Sequence, residues 1–564
     1  MLIYAQNQVN GCDFMKKISL KDLTLREKIG QMANHSILTI NNMLKNGNDA
    51  VNLMGSVWVY GAIDMRLINM GDDTTGEEIP AHHNWLFLNE MSKKNKIPLL
   101  GAMDCTSGIN SAFYDMRFVA SPCSLGAANS EELSFKTGVA KAKSLKCAGA
   151  KWLWGPEEDI PNRLASISLG RKLSDEPDLI IKLANAQNNG IQSEGVAATA
   201  KHFPGDDELE YRDSHVSETV YHKSLEEWRS RQGRVFKEVI DGGVYSVMVG
   251  HQAFPACDNT KIKGKYLPST VSKKVVTDLL KGELGFKGVV ITDAIGMRGL
   301  LNLFDNDINR VCIESVKAGC DVILAAPGGF VDAIEKAVLD GEIPESRIDD
   351  ACSRILAMKE KLNLFEQPFE EMDSVAVAEE CTAVSNLVAE KSLSLVCDNR
   401  KILPLNPEKH KKICIIFSGE SERAYNSLKI IEEELYKRGV EKVHIQKGLG
   451  DEPEPSTLPL DFDIMLYVGH AGLQEPWGMV GFQGETFKTF YRVAAGGQIG
   501  KRVAVSIGSP YLYFDYYEGF DCFINAYTYH ESTLRALVKA LYGEIGFEGG
   551  HPFKLIPDGF DVNY

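Results

Sequence analysis

Lys201-His202-Phe203-Pro204-Gly205 is followed, after a run of acids, by Asp213-Ser214-His215. A carboxylate two residues ahead of an imidazole can orient the ring, raise its basicity and stabilise the imidazolium, so that the ring donates and accepts protons near neutral pH. Taken alone, an Asp-x-His spacing is more often a surface loop than a catalytic device. Its meaning depends on where the fold places it, and on which other polar residues arrive at the same place.

Those positions are set by short apolar segments at 55–60, 98–103, 195–200, 244–249, 288–292 and 321–325, which are separated by helix-length stretches. Runs of this length, rich in Val and Ile, predict parallel strands joined by crossover helices, and repeated this often they predict a barrel. Asp104, Lys201-His202, His251 and Asp293 each stand just past the C-terminal end of such a segment. That end is where (β/α) barrels carry their active sites. Residues 343–365 show helical apolar spacing and are expected to close this first unit. The acidic stretch 366–380 reads as a linker and the start of a helix. A second α/β pattern follows, with strands expected at 392–397, 412–417, 464–468, 502–507 and 522–526, a spacing suited to an open sheet covered by helices on both faces. The expected organisation is therefore a (β/α) TIM-type barrel over 1–365, a linker over 366–385 and an α/β/α sandwich over 386–564.

The chain has 564 residues, too many for one hydrophobic core, and two domains are expected. Hydrophobic residues make up 44% and charged residues 24%, which excludes a mostly disordered chain. A net charge of −16 argues against nucleic acid or an anionic membrane as partner, since both need concentrated Lys and Arg. No run of about 18 apolar residues is present, and the N-terminus lacks a basic start followed by an apolar core. The twelve cysteines are scattered without C-x-x-C or Cys/His ligand spacing, so neither a metal site nor a disulfide framework is expected. No dinucleotide or phosphate-binding glycine loop occurs, so no cofactor is expected. Reduced thiols in a cytoplasmic setting fit this composition.

Residues 267–297 (LPSTVSKKVVTDLLKGELGFKGVVITDAIGM), 316–324 (VKAGCDVIL), 354–365 (RILAMKEKLNLF), 392–405 (SLSLVCDNRKILPL) and 508–511 (GSPY) together resemble glycoside hydrolase family 3, in the branch of the bacterial β-N-acetylhexosaminidases. The last two segments match two-domain members. The resemblance implies a retaining glycosidase acting on small amino-sugar glycosides, with Asp293 as nucleophile and His215 as acid/base oriented by Asp213. It further implies that Asp104, Arg171, Lys201 and His202 hold the sugar, with Asp159 mainly structural. His251 is expected either to line the pocket or to close the barrel.

Two departures fall at the sugar contacts. After Asp104 the family reads Gln-Glu-Gly-Gly-Arg, whereas this chain reads Cys105-Thr106-Ser107-Gly108-Ile109-Asn110. After Lys-His-Phe-Pro-Gly the family reads His-Gly, whereas this chain reads Asp206-Asp207. The reaction class is thus expected to survive better than N-acetylglucosaminide specificity, and another β-hexoside is an alternative. Phosphorolysis is a second alternative, since a His acid/base does not repel phosphate as a carboxylate would. Asp206, Asp207, Glu208, Glu210 and Asp213, against the single Arg212, predict a field unfavourable to an anionic acceptor and so favour hydrolysis. A third alternative, a sugar-binding protein without catalysis, is opposed by the retention of Asp293, Asp213 and His215. Gly469-His470 and Trp477 are expected on loops of the second domain, with Trp477 either packed or stacked on a sugar.

Overall fold

The computed structural model describes residues 18–60, 80–108, 113–163, 169–367, 369–448, 462–471, 481–482, 484, 486–488, 501–517 and 519–556. Among them, eight parallel strands form a ring: β1 (Ala33–Ser36), β2 (Ser56–Trp58), β3 (Leu100–Met103), β4 (Ala150–Leu153), β5 (Thr199–Phe203), β6 (Ser246–Val249), β7 (Val289–Thr292) and β8 (Ile323–Leu324). Neighbours pair in chain order, and β8 returns to β1 through Ala33 and Ile323. Single bridges, Trp152 with Ala197 and Ile291 with Val322, join the three-stranded and five-stranded arcs into a closed barrel. Helices such as Glu131–Cys147, Pro177–Ser193 and Glu345–Lys361 pack outside.

The strands are short and largely buried on both faces. β6 and β7 read Ser-Val-Met-Val and Val-Val-Ile-Thr, with every residue buried. Polar side chains that do point inward pair across the barrel: Trp152 Nε1 donates to Thr199 Oγ1 at 2.9 Å and Ser246 Oγ at 2.8 Å, and Asn34 Nδ2 donates to Ser56 Oγ at 2.9 Å. At the opposite end from the candidate site, Lys359 Nζ donates to Gln31 Oε1, Gly55 O and Pro98 O at 2.7–2.8 Å. This buried ammonium closes the barrel floor, and burial pulls its pKa down to about 7.

The second unit is a six-stranded sheet formed by β9 (Ser394–Asp398), β10 (Lys412–Gly419), β11 (Lys442–Lys447), β12 (Ile464–His470), β13 (Lys501–Ser506) and β14 (Cys522–Asn525). Their order is β9-β14-β13-β12-β10-β11, with only β9 antiparallel to its neighbour. Helices Glu422–Lys437 and Glu531–Leu541 join one apolar core of this sheet, and Leu512, Tyr517 and Phe520 belong to another. The architecture is the expected barrel followed by an α/β sandwich. Helix Ser374–Ser392 leads into β9.

β5 departs from the sequence reading. It spans Thr199–Phe203 rather than 195–200, so Lys201 and His202 lie on the strand, where its pairing with β6 breaks register between Ala200 and Phe203. β1, β4 and β11 were absent from the expected strands. Trp477 lies outside the described residues, while His470 ends β12 buried against the Tyr529 ring. The described cysteines are unpaired thiols. Among the described residues, no helix is long and apolar enough to cross a membrane.

Candidate active site

A pocket opens at the C-terminal end of the barrel, lined by residues that include His202, Asp206, Arg212, His215, His251 and Asp293. Asp293 follows β7. Its backbone N–H donates to Val249 O on β6 at 2.9 Å, which fixes the residue at the barrel rim. Ala294 N–H donates to Asp293 Oδ1 at 2.6 Å, and Oδ2 lies 3.9 Å from His202 Nε2. Burial alone would raise the Asp293 pKa, but His202, His251, the Ala294 amide and Lys201 together hold it below the ordinary aspartate value. Asp293 is therefore an ionised carboxylate, 15% exposed, facing a cavity.

His215 arrives from a different element, the loop after β5. Its Nδ1 is 2.6 Å from Asp213 Oδ1, and its backbone N–H donates to the same oxygen at 2.8 Å. Burial raises the Asp213 pKa, but the hydrogen bonds from His215 outweigh it, so this carboxylate also stays ionised. The loop is seated on the helix after β7: Arg298 N–H donates to His215 O at 2.9 Å, and Gly299 lies so close to Ser214 and Ser217 that a Cβ there would stand 2.7 and 2.2 Å from their carbonyl oxygens. Asp213 thus fixes the orientation of the ring through Nδ1.

The remaining candidates form one charged lattice. Lys201 Nζ is fully buried and donates to Asp104 Oδ1 at 2.7 Å, so its charge is met within the fold. Burial opposes ionisation of Asp104, yet Lys201 and Arg171 bring its pKa down to about 2. Arg171 pairs with the buried Glu157. Lys172 Nζ lies 3.0 Å from Glu157 Oε2, 2.8 Å from Asp159 Oδ2 and 3.0 Å from Asp206 Oδ2. Asp159 in turn binds both the backbone N–H and Nδ1 of His202 at 2.8 Å. Glu157, Asp159 and His202 have the spacing of a metal-binding set, but Lys172 already satisfies both carboxylates with its ammonium.

Of two sequence expectations, the first holds and the second is corrected. His251 lines the pocket, and its nitrogens stand 2.7 Å from Thr270 Oγ1 and 3.0 Å from Ala294 O, so it also braces the residue after Asp293. The acidic loop is not an open negative field: Asp206 meets Lys172, Glu208 meets Lys223 and Arg231, Glu210 meets Arg212, and Asp207 accepts from the Leu209 and His222 amides. Glu157 and Lys172 were missed by sequence reasoning. The signal was present in Glu157-Glu158-Asp159, three acids directly after a strand, and in the paired cations Arg171-Lys172.

Residues 24–358 match the glycosyl hydrolase family 3 N-terminal domain. A β-N-acetylglucosaminidase/β-glucosidase of Cellulomonas fimi is 27% identical over 484 residues, covering 81% of this chain and 83% of that protein. A β-hexosaminidase of Psychromonas ingrahamii is 32% identical over 195 residues, 34% of this chain and 55% of its own length. Among solved structures, the β-glucoside phosphorylase BglX superposes with a TM-score of 0.80 at 25% identity, covering 95% of this chain and 94% of that one. With its barrel, its sandwich and its matched segment, the chain belongs to glycoside hydrolase family 3 and is a glycosidase.

Proposed function

We propose that the chain cleaves terminal β-linked hexosides, of the N-acetylglucosamine or glucose type, with retention of anomeric configuration. The observation that carries this reading is the convergence of Asp293, from β7, with the Asp213–His215 pair, from the loop after β5, on one pocket. In the first step an Asp293 oxygen forms a bond to the anomeric carbon as the bond to the leaving oxygen breaks, and protonated His215 gives its proton to that oxygen. In the second, a water oxygen attacks the same carbon, its proton passes to His215, and Asp293 leaves as carboxylate. Two displacements restore the starting configuration. In this reading Asp104, held ionised by Lys201, accepts hydrogen bonds from sugar hydroxyls, and Arg171, which lines the pocket, is a second sugar contact.

The names of the relatives support both sugars: one combines β-N-acetylglucosaminidase with β-glucosidase, others are β-hexosaminidases, and one solved neighbour is a β-glucoside phosphorylase. A second reading, phosphorolysis, gains from the loop geometry. Since the loop carboxylates already face cations or amides, the expected electrostatic objection to a phosphate acceptor loses its basis. Phosphate would then replace water in the second step and leave as the sugar 1-phosphate.

Incubating the protein with a panel of chromogenic β-glycosides, with and without inorganic phosphate, tests both readings. Release of free sugar in both conditions supports hydrolysis, and phosphate-dependent sugar 1-phosphate supports phosphorolysis. Cleavage of no β-glycoside, or full turnover by Asp293→Ala, would overturn the reading and favour a sugar-binding role.

A further inference from the structure

We propose that Arg163 is a positioning residue through which the second domain sets the sugar-binding half of the pocket. This inference rests on the reading of that pocket as a glycoside site. Arg163 lies between β4 and helix Pro177–Ser193, in a segment that carries Glu157 and Asp159 near its start and Arg171 and Lys172 near its end. Glu157 bridges to Lys201 and Lys172 through its backbone, outside any named strand or helix. Four charges meet at one place along such a segment only if it is held at several points, because ordering it costs conformational entropy.

The barrel holds its start, where Ile160 N–H donates to Gln232 Oε1 at 2.8 Å, and the second domain holds the part around Arg163. The Arg163 guanidinium pairs with Asp515, donates to Leu555 O at 3.0 Å, and lies over the Tyr511 ring at 4.2 Å from its centroid. Next to it, Leu169 joins an apolar cluster made by Cys123 and Ala127 of the barrel, Tyr511 and Tyr527 of the sandwich and Phe553 of the C-terminal segment. Two further bonds tie down the loop's exit: Ser174 Oγ donates to Pro552 O at 2.5 Å, and Lys554 N–H donates to Asp175 Oδ2 at 2.7 Å. A planar, multi-donor guanidinium is well suited to make an ion pair, a carbonyl bond and a ring contact together. From the loop the line of contacts runs through Lys172 to Asp159, and from Asp159 to His202, which faces Asp293.

Arg163→Ala, Arg163→Lys and Tyr511→Leu, made in the full chain, test this. With the best substrate of the chromogenic panel, Arg163→Ala is expected to raise KM about tenfold, since slight misplacement of a binding group is expensive. Its kcat should fall less than KM rises, because Asp293 and His215 sit on other elements. Arg163→Lys, which keeps the ion pair, should recover part of the loss, and Tyr511→Leu should reproduce it in weaker form. Folded Arg163→Ala and Tyr511→Leu with wild-type KM overturn the proposal, as does a loss that follows only the unfolded fraction seen in a melting curve. If Arg163→Ala does not fold, wild-type KM in both Arg163→Lys and Tyr511→Leu likewise overturns it. Failure of the catalytic reading is separate: it would show as activity retained in Asp293→Ala, whatever the KM of the Arg163 variants.

Discussion

His202 stands between two carboxylates, with Nδ1 2.8 Å from Asp159 Oδ2 and Nε2 3.9 Å from Asp293 Oδ2. One acid holds the ring, and the ring in turn favours the charged form of the other. After burial, which acts in the opposite direction, His202 is the largest influence on the Asp293 pKa. Removing the ring by His202→Ala should therefore raise that pKa. A nucleophile must be ionised, so activity is lost as pH falls through its pKa, and the acid limb of the kcat/KM profile should move to higher pH. An unchanged acid limb would mean that Asp293 does not govern it.

Lys172 has three carboxylates around one ammonium, and two of them are fully buried. Replacing it by Met leaves Glu157 to Arg171 and Asp159 to His202 alone, which should cost about 3 kcal/mol of stability, because each buried carboxylate loses one of its cationic partners. Asp206→Asn removes only the partly exposed member, and its expected cost is at most about 1 kcal/mol. Denaturant titration of the two variants separates them. Because the ammonium already stands between these carboxylates, a chelator should leave activity unchanged.

Gly299 lets the His215 loop sit against the helix after β7, since any Cβ there would run into the Ser217 and Ser214 carbonyl oxygens. Gly299→Ala should push the loop outward and misplace His215 without touching Asp293. A displacement of about 1 Å predicts a fall in kcat of roughly 100-fold. A substrate whose leaving group needs no proton, such as an activated aryl glycoside, should lose much less in the first step. Equal losses on activated and unactivated substrates would count against His215 as the acid.

Lys359 titrates below its ordinary value because burial opposes its charge, and its three partners are neutral oxygens. Between about pH 7 and 10.5 the unfolded chain binds a proton there that the folded chain does not, so stability from this group rises with pH across that window. Its full slope is about 1.4 kcal/mol per pH unit. Lys359→Met should lower stability overall yet flatten the change between pH 7.5 and 9.5 relative to wild type, which thermal melts at both pH values would reveal.

The barrel was legible in the sequence wherever a strand is buried on both faces, as in β6 and β7, because such strands are unbroken apolar runs. β1 escaped notice because Asn34 and His35 point into the fold and find partners at Ser56 and Ala326 O, so polarity interrupts the run. β4 contains Lys151, whose ammonium reaches the Gln367 carbonyl outside the barrel. β11 is a half-exposed edge strand with Lys at both ends. At the site, family resemblance singled out Asp293, Asp213 and His215, and hydrophobic pattern gave the strand end before Asp293. The links of Lys172 to Glu157, Asp159 and Asp206 were not readable, since they depend on how two irregular loops turn toward each other.

The loop from Gly205 to His215 holds five acids, yet each is met at short range by a cation, an imidazole or a backbone amide. Viewed from the solvent most of its carboxylates belong to ion pairs, and the potential of a close pair dies away faster with distance than that of an isolated charge. Capture of charged and neutral glycosides should therefore respond alike to ionic strength, despite the acidity of the chain as a whole.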